Sequence, residues 1–363
     1  MSFPPDLAER LRLIRTPGIG PIAYRHLLAR FGSASAALDA IPDLARRGGG
    51  KPPAVFPQDR AEREIDAVGK LGATYLVIGQ GLYPSALAEL ENAPPLVTAK
   101  GDFSLLDRLM VSVVGARNAS AAACRFGRIL AHDLGREGVA IVSGLARGID
   151  SAAHDGSVER GTVAVIAGGL DIFYPPENEM RQRDIAERGL LIAEMPPGTE
   201  PRARHFPYRN RIIAGLSSGT VVVEAAPRSG SLITARLAAD AGREVMAVPG
   251  SPLDPRAQGC NQLIRDGATL VQNAADVMEC LRPIAGGVAS PRRAFISESA
   301  GSNADPTSDA RARIEELLGP SPVPIDELIR LSGAEPGIVQ LVLLELELAG
   351  RLDRHAGGKA SLR

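Results

Sequence analysis

Seven short apolar segments, separated by stretches of helical character, constrain the fold of this chain more than any other feature. The segments are rich in β-branched residues and cover residues 111–114, 139–142, 162–167, 190–194, 220–223, 244–248 and 269–271. Helices are predicted between several of them, at 119–136, 151–160 and 231–241. Strands without a polar face are buried on both sides, which predicts an open, doubly wound, mostly parallel α/β sheet for residues 66–282. Ligands of such sheets bind at the carboxyl ends of the strands.

The residues before the sheet, 1–65, are predicted to form a separate helical domain. Amphipathic helices at 6–14 and 22–31 are joined by a Thr-Pro-Gly-Ile-Gly-Pro turn at 16–21. Backbone N–H groups of a Gly-x-Gly turn lie at the N-terminus of the second helix, where they can hold a phosphate. That arrangement is a helix-hairpin-helix, and a plain αα-corner is an equal alternative. The glycine-rich segment 48–53 is predicted to be a flexible connection.

A linker and a second small domain are predicted after the sheet. Residues 283–308 are poor in large apolar side chains and rich in Gly, Ser, Pro and Ala, which is typical of a linker. Residues 309–363 follow the order helix, helix-turn-helix and short hairpin, which predicts a winged-helix domain. Its third helix, 336–349, carries Glu345 and Glu347 and little positive charge, so we favour a structural or protein-binding role over the reading of duplex DNA.

Positive charge is concentrated in the segment 202–211, although the formal charge of the whole chain is only −1. The segment combines arginines and aromatic rings with no acidic residue. These residues are Arg202, Arg204, Phe206, Tyr208, Arg209 and Arg211. Guanidinium groups beside aromatic rings suit a phosphate backbone that carries stackable bases, as in single-stranded nucleic acid. Because the chain is nearly neutral, a nucleic-acid site must be a local patch or groove.

Loops rich in glycine, serine and arginine follow four of the predicted strands, at residues 114–120, 143–150, 168–171 and 226–234. Glycine lets the backbone approach a ligand closely, and helix N-termini favour anions. Because the carboxyl ends of parallel strands share one edge, these loops predict a phosphate-lined mouth. None of them contains the GxGxxG fingerprint or the GxxxxGK[ST] sequence, which disfavours a nicotinamide enzyme and excludes a P-loop ATPase.

The sequence predicts no catalytic triad, metal site or cofactor site. Asp150 and His154 would face each other on a helix, where a helix cap and a structural hydrogen bond are favoured over an acid–base pair. Cys124, Cys260 and Cys280 are isolated, which predicts neither a zinc site nor a disulfide and fits a reducing compartment. The N-terminal residues lack the apolar segment of a signal peptide, and no apolar run approaches the ~20 residues of a membrane span. We therefore expect a soluble cytoplasmic protein.

Four longer motifs occur in order along the chain. They are Gly144-Leu145-Ala146-x-Gly148-Ile149-Asp150-x-x-Ala153-His154, Pro207-x-Arg209-Asn210-Arg211-Ile212-Ile213-Ala214-Gly215-Leu216, Ser229-Gly230-Ser231-Leu232-Ile233-Thr234-Ala235 and Ala247-Val248-Pro249-Gly250. Together they resemble the bacterial DNA-processing protein A family (DprA, also called Smf). The likeness spans roughly residues 75–280, and the combination of motifs in this order is highly specific.

The resemblance implies a Rossmann-like domain that binds and protects single-stranded DNA and promotes the loading of RecA in natural transformation and recombination, without enzymatic turnover. It also implies a homodimer through that domain, an N-terminal SAM or helix-hairpin-helix domain and a C-terminal winged helix. With the loops described above, it predicts a DNA pocket made of Gly115, Arg117, Ser143, Gly144, Arg147, Gly168, Gly169, Phe206, Arg209, Asn210, Arg211, Ser229, Gly230 and Ser231. Family members often have lysine at or beside the position of Arg147, so the charge is kept and the contact geometry differs.

An enzyme is the alternative from another functional class. The segment 219–224, Gly-Thr-Val-Val-Val-Glu, is similar to a motif of the lysine-decarboxylase-like nucleoside-monophosphate phosphoribohydrolases, in which the glutamate works at the sugar. Here Leu-Ser-Ser at 216–218 replaces the first glycines of that motif, and the rest of the pattern is missing. A third interpretation is a winged-helix transcription regulator, which predicts preference for a duplex sequence.

Overall fold

The structure, a computed structural model, describes residues 3–285, 305–355 and 357–363. These residues form two compact units. The larger unit is built from residues 66–285, and the smaller one combines residues 3–65 with residues from 305 onward. Residues 286–304 of the predicted linker lie outside the described residues.

Helices and strands alternate through the larger unit, whereas short helices dominate the smaller one. The helices are α1 (Leu7–Arg15), α2 (Pro21–Phe31), α3 (Ala34–Arg47), α4 (Gln58–Lys70), α5 (Ser85–Ala88), α6 (Ala121–Arg136), α7 (Ile149–Ser157), α8 (Glu179–Arg188), α9 (His205–Leu216), α10 (Gly230–Asp240), α11 (Gln258–Arg265), α12 (Ala274–Ala285), α13 (Ser308–Glu316), α14 (Ile325–Ser332) and α15 (Pro336–Leu348). The strands are β1 (Thr74–Val77), β2 (Leu96–Gly101), β3 (Met110–Gly115), β4 (Ala140–Ser143), β5 (Thr162–Ile166), β6 (Leu190–Ala193), β7 (Gly219–Val223), β8 (Glu244–Ala247), β9 (Thr269–Leu270), β10 (Val323–Pro324), β11 (Leu352–His355) and β12 (Lys359–Leu362).

The sheet of the larger unit is doubly wound, as predicted. Its strand order is β1-β2-β6-β5-β4-β3-β7-β8-β9. All neighbours from β6 to β9 run parallel, whereas β2 pairs antiparallel with both β1 and β6. The chain winds outward from β3 to β6, then returns to place β7 on the other side of β3. The topological switch point therefore lies between β3 and β7.

Two features of this unit differ from the sequence prediction. The strands β1 and β2 were not predicted, because each lies outside the alternating pattern that begins near residue 105. They form an antiparallel pair that extends the sheet beyond β6. No helix was predicted for the basic segment and the apolar run that follows it, but the two meet in the single helix α9, His205–Leu216.

Aliphatic side chains from the central strands and from α6 and α12 form the main core of this unit. The fully buried members include Val111, Val113, Leu130, Leu134, Ile141, Val221 and Leu281. Burying each such side chain contributes about 1.5–3 kcal/mol. The helices α6 and α7 cross in backbone contact at Gly156, where an added Cβ atom would lie 2.2 Å from the carbonyl oxygen of Arg128. This contact fixes the positions of α6 and α7 relative to each other; the two helices follow β3 and β4.

The N-terminal helices and the winged helix share the smaller unit. The winged-helix core packs α13, α14 and the small sheet β10-β12-β11 around α15. The helix α3 packs against α15 as well. A Cβ atom on Gly48 would lie 2.1 Å from the carbonyl oxygen of Glu345, and one on Gly50 would lie 2.3 Å from that of Ala349. The segment predicted as a flexible connection is therefore a packed contact that requires glycine at both positions.

The helix α15 packs within the smaller unit, and two of its carboxylates are paired with arginines. Its carboxylate Glu345 is 1% exposed and accepts bidentate hydrogen bonds from Arg311 at 2.9–3.1 Å. Glu347 accepts a hydrogen bond from Arg354 at 2.9 Å. Because the buried face of this helix packs within the unit and its carboxylates are paired, the structural interpretation is favoured over duplex reading by α15.

No helix within residues 3–285, 305–355 and 357–363 is long and apolar enough to cross a bilayer. The same residues contain no cluster of His, Cys, Asp and Glu side chains with the geometry of a metal site.

His154 lies fully buried on α7, and its Nδ1 atom shares a hydrogen bond of 2.7 Å with the hydroxyl group of Thr162. It therefore has a structural partner other than Asp150. Burial lowers the pKa of His154 to about 3.

We expect this buried histidine to make the protein sensitive to acid. In the unfolded chain the imidazole has its ordinary pKa of about 6.5, so between that value and about 3 the unfolded state binds the extra proton. The free energy of unfolding should therefore fall as the pH drops through this window, by at most roughly 1.4 kcal/mol per pH unit from this group. Urea denaturation at pH 7 and pH 5 measures the fall. His154→Gln should reduce it and the exposed-site control His132→Gln should not, and equal slopes in all three proteins would contradict the prediction.

Candidate nucleic-acid interface

A cleft lies at the carboxyl ends of β4 and β5, where loops after β3, β4 and β5 meet the start of α9. This is the edge at which open α/β sheets bind ligands. The cleft is lined by Arg117, Gly144, Leu145, Ala146, Arg147, Ile166, Ala167, Gly168, Ile172, Tyr174, Pro175, Pro201, Phe206 and Arg209.

Two aromatic rings and two guanidinium groups form the centre of the cleft. The rings of Tyr174 and Phe206 pack with their centroids 5.8 Å apart and their planes tilted by 54°. The Cζ atoms of Arg117 and Arg209 lie 5.1 Å and 5.9 Å from the centroid of Phe206. Tyr174 is 46% exposed, so the aromatic surface is open to a ligand. We call Arg117, Tyr174, Phe206 and Arg209 the aromatic–arginine cluster.

Within this cluster, Arg209 is the buried member, and the carboxylate of Asp150 acts on its charge. The Oδ2 atom of Asp150 accepts hydrogen bonds from the backbone N–H groups of Gly144 at 3.2 Å and Ala146 at 3.3 Å. The guanidinium of Arg209 lies against Gly144, where an added Cβ atom would be 1.5 Å from Nη1. Glycine is therefore required at 144 for the arginine to reach its position.

The burial of this charged pair shifts both pKa values. Burial raises the pKa of Asp150, while the positive charge of Arg209 and the N–H groups of Ala146 and Gly144 oppose the rise. Burial lowers the pKa of Arg209 to about 10, an effect that Asp150 opposes and Arg117 strengthens. Arg209 therefore stays protonated at neutral pH and brings a positive charge to the floor of the cleft.

Exposed arginines lie in the lining of the cleft and in the chain segment next to it. Arg117 lies on the loop after β3, and Arg202 and Arg204 precede α9. Within the part of the chain that the structure describes, none of these three forms an ion pair with a carboxylate. Arg147 is exposed as well and lies 3.3 Å from a carboxylate oxygen of Glu177. The rim of the cleft thus carries uncompensated positive charge, which suits a polyanion.

Six residues predicted from the sequence line this cleft together. They are Arg117, Gly144, Arg147, Gly168, Phe206 and Arg209. Gly168 is packed so closely that a Cβ atom would lie 2.8 Å from the carbonyl oxygen of Thr199, which brings the segment before α9 over the end of β5.

Three other predicted residues near the strand ends pack or hydrogen-bond within the protein next to the cleft. Ser143 is fully buried, and its hydroxyl group donates to the carbonyl oxygen of Val113 at 2.7 Å. An added Cβ atom on Gly115 would lie 1.9 Å from the carbonyl oxygen of Val223. The N–H group of Gly169 donates to Thr199 at 2.9 Å. The structure therefore gives these three positions packing roles next to the cleft.

The predicted residues 210 and 229–231 form a second group outside the lining. The amide of Asn210 donates to the carbonyl oxygen of Gly230 at 3.5 Å. The hydroxyl group of Ser229 caps α10 by accepting from the N–H group of Ser231 at 3.4 Å, and the two hydroxyl groups are 2.8 Å apart. This loop remains a predicted DNA contact, but it is not one of the surfaces that enclose the cleft.

Arg211 points away from the cleft into the protein interior. It is 5% exposed, and its Nη2 atom is 2.6 Å from a carboxylate oxygen of Glu194 at the end of β6. A buried ion pair of this kind holds α9 against the sheet. Arg211 therefore lies outside the lining of the cleft, and its predicted role as a DNA contact stays a prediction.

Several lining residues were not predicted, and Tyr174 is the most important because it supplies half of the aromatic surface. Ile172, Pro175 and Pro201 were also missed. The available signal was the Tyr-Pro pair that follows the Gly-Gly-Leu-Asp loop after β5. An exposed aromatic residue beside a strand-end glycine loop fits base stacking better than it fits a turn.

Three family sequence profiles match consecutive parts of the chain. The profile described as DNA recombination-mediator protein A matches residues 74–282. Those described as a DprA-like N-terminal HHH domain and a DprA winged helix domain match residues 5–67 and 298–358. The first of these two confirms the helix-hairpin-helix over the plain αα-corner.

Two curated relatives agree with these matches. The DNA processing protein DprA of Streptococcus pneumoniae is 42% identical over 242 residues, which is 66% of this chain and 86% of that protein. The protein Smf of Escherichia coli is 37% identical over 317 residues, which is 85% of this chain and 82% of that protein.

Solved structures support the same assignment. The X-ray structure of DprA from Streptococcus pneumoniae has a TM-score of 0.66 and 36% identity, and it covers 77% of this chain and 98% of that one. The structure of DprA from Helicobacter pylori, reported for its single-stranded DNA binding mode, has a TM-score of 0.53 and 29% identity and covers 58% of this chain and 96% of that one. Since the main profile covers more than half of the chain and the relatives agree, the chain belongs to the DNA recombination-mediator protein A (DprA/Smf) family.

Proposed function

We propose that this protein binds single-stranded DNA in the cleft, protects it and promotes the loading of RecA onto it in the cytoplasm, in natural transformation and recombination. The observation that carries the proposal is the aromatic–arginine cluster, in which the ring of Phe206 packs beside that of Tyr174 and lies close to the guanidinium groups of Arg117 and Arg209. The single-stranded DNA binding described for the Helicobacter pylori relative supports it.

The physical basis is stacking on the rings and charge attraction at the rim. A base stacked on an aromatic side chain contributes about 1–3 kcal/mol whatever its identity, because every base has a π-face. The exposed arginines at the opening attract the phosphate backbone and release counterions from it. Binding should therefore be salt-dependent and weak in sequence preference. A duplex hides its base faces and cannot use the rings.

Binding of a labelled oligo-dT, followed by fluorescence anisotropy at several salt concentrations, tests the proposal. We expect tight binding that duplex of equal length does not displace, with log K falling steeply against log salt. Phe206→Ala and Tyr174→Ala should each weaken binding by about 1–3 kcal/mol. Tyr208→Ala is the matched control, because this exposed tyrosine lies on the same helix and does not line the cleft. Equal affinity for duplex, or equal losses in all three variants, would contradict a stacking site here.

The charge contribution is measured best at Arg117. Arg117→Ala should lower the slope of log K against log salt by about one counterion. The fold should stay intact, because Arg117 is exposed and forms no ion pair among the described residues. Arg209 and Arg211 are less suitable, since each faces a buried or half-buried carboxylate that a substitution would leave uncompensated.

RecA loading rests on the family, whose name describes a recombination mediator. ATP hydrolysis by RecA on DNA already coated with single-strand-binding protein reports the loading step. We expect this protein to shorten the lag before hydrolysis, Tyr208→Ala to do the same, and Phe206→Ala to fail in proportion to its loss of DNA affinity. If the lag stays unchanged at protein concentrations that saturate the DNA, the protein binds DNA without loading RecA, and the RecA part of the proposal is rejected.

A homodimer through the larger unit is also part of the proposal. The edge strand β9 exposes both of its residues, and an unpaired strand edge is a surface for pairing with another chain. Leu253, in the turn after β8, is 92% exposed, and Leu270 on β9 is 42% exposed. They lie in the part of the chain, 245–270, that includes residues 245–248 and the helix at 258–264, which the resemblance to the DprA/Smf family makes candidates for the dimer interface.

Light scattering coupled to gel filtration tests this assembly. We expect a dimer for the unmodified chain and a shift toward monomer for Leu253→Asp, since a carboxylate at a buried contact loses its hydration. Ile129→Asp places the same charge on α6 at a residue that is 49% exposed and serves as the control. A monomer in the unmodified chain at high micromolar concentration would refute the dimer.

We propose that the protein has no catalytic turnover. The phosphoribohydrolase alternative depends on Glu224, whose carboxylate accepts a hydrogen bond from the backbone N–H group of Ser120 at 2.6 Å. Only 10% of that side chain is exposed, which leaves little room for it to act on a sugar.

A further inference from the structure

The crevice at the topological switch point is separate from the DNA cleft. It lies between the carboxyl ends of β3 and β7, where the N-terminus of α6 begins after Ser120. In open α/β sheets this is the usual position for a ligand, and the helix N-terminus there favours a phosphate. The aromatic–arginine cluster instead lies over β4, β5 and the start of α9.

The side chain of Glu224 fills this crevice. Its Oε2 atom accepts the hydrogen bond from Ser120, and its Oε1 atom lies 3.4 Å from Nε of Arg256. The carbonyl oxygen of the same residue accepts from the N–H group of Ala116 at 2.7 Å. The carboxylate of Glu224 therefore lies beside a backbone N–H group at the N-terminus of α6 and the guanidinium of Arg256, which also donates two hydrogen bonds to Asp254. A phosphate oxygen would be held by donors of the same two kinds.

The backbone at Glu224 is strained to bring the carboxylate there. Its φ angle is +54°, in the left-handed region that is unfavourable for a residue with a long side chain. Such strain persists where surrounding contacts determine the conformation. Here two hydrogen bonds do so: the N–H group of Ala116 donates to the carbonyl oxygen of Glu224, and the N–H group of Ser120 donates to its carboxylate.

The remaining space is small. A Cβ atom on Gly148 would lie 2.2 Å from the carbonyl oxygen of Ala116, and the loop after β3 is packed against β7 at Gly115.

We propose that Glu224 is an internal anion that occupies the phosphate position of the switch-point crevice and excludes free phosphate and 5′-phosphate groups from it. Glu224 is then a specificity-determining residue: it closes the ordinary nucleotide position of the sheet and leaves the neighbouring cleft as the surface open to nucleic acid. The assignment does not rest on the proposed DNA function, because its geometry involves none of the residues that line the cleft.

Thermal denaturation of the full-length chain in inorganic phosphate, with sodium chloride at matched ionic strength, tests this role. Glu224→Gly removes the carboxylate and suits the positive φ angle, so we expect it to fold and to open the crevice. Phosphate should then raise its midpoint by a saturable amount of about 2–4 °C beyond any change in the unmodified chain. Adding Arg256→Ala to this variant should abolish the extra rise.

Two further variants separate an anion site from a general salt effect. Glu224→Gln keeps the volume of the side chain without its charge, so phosphate should not gain entry. Asp102→Ala removes a carboxylate that accepts from the N–H group of Ser104 at 2.9 Å in an exposed turn, and should respond like the unmodified chain. If Glu224→Gly does not fold, Glu224→Ala takes its place in the same titration. Equal responses to phosphate in the unmodified chain and the opened variant would overturn the proposal, whatever the outcome of the DNA-binding measurements.

Discussion

The cleft depends on two buried side chains of opposite charge, Asp150 and Arg209. The carboxylate holds the N–H groups of Gly144 and Ala146, and so fixes the loop after β4. The guanidinium it attracts comes from α9 and reaches past Gly144, where no side chain could be accommodated. A buried charge far from any opposite charge is strongly destabilising, and here each group favours the ionised form of the other. Two buried side chains of opposite charge thus relate the loop after β4 to the helix that carries Phe206.

Helix geometry explains why neighbouring arginines in the same motif have different surroundings. Phe206 and Arg209 are three residues apart and share one face of α9, which brings the guanidinium beside the ring. Arg211 is two residues further along, and the helical rotation turns it toward Glu194 and the sheet. The concentration of charge was predicted from the sequence, but no helix was predicted here, so arginines on different faces of α9 could not be told apart.

The parts of the fold that were predicted are those with a local signal. The strands from β3 to β9 are short, β-branched and apolar, and the structure places each within two residues of its predicted position. The pair β1 and β2 has only the ordinary alternation of a short hairpin, and its place beside β6 is decided by long-range pairing. Glycines 144 and 168 were predicted to approach a ligand. The structure gives a tertiary reason for both, since each makes room for another part of the protein.

The smaller unit illustrates how much of a domain can depend on residues far apart in the sequence. The segment after α3 contacts α15 through Gly48 and Gly50, and Arg351 donates to the carbonyl oxygen of Gly48 at 2.9 Å. A chain segment this rich in glycine gains conformational entropy when unfolded, so its order in the structure must come from packing. Composition alone therefore predicted flexibility where the backbone has to approach a helix closely. A glycine-rich segment can be a flexible connection or a packed contact, and here one packing partner, Arg351, lies 303 residues after Gly48.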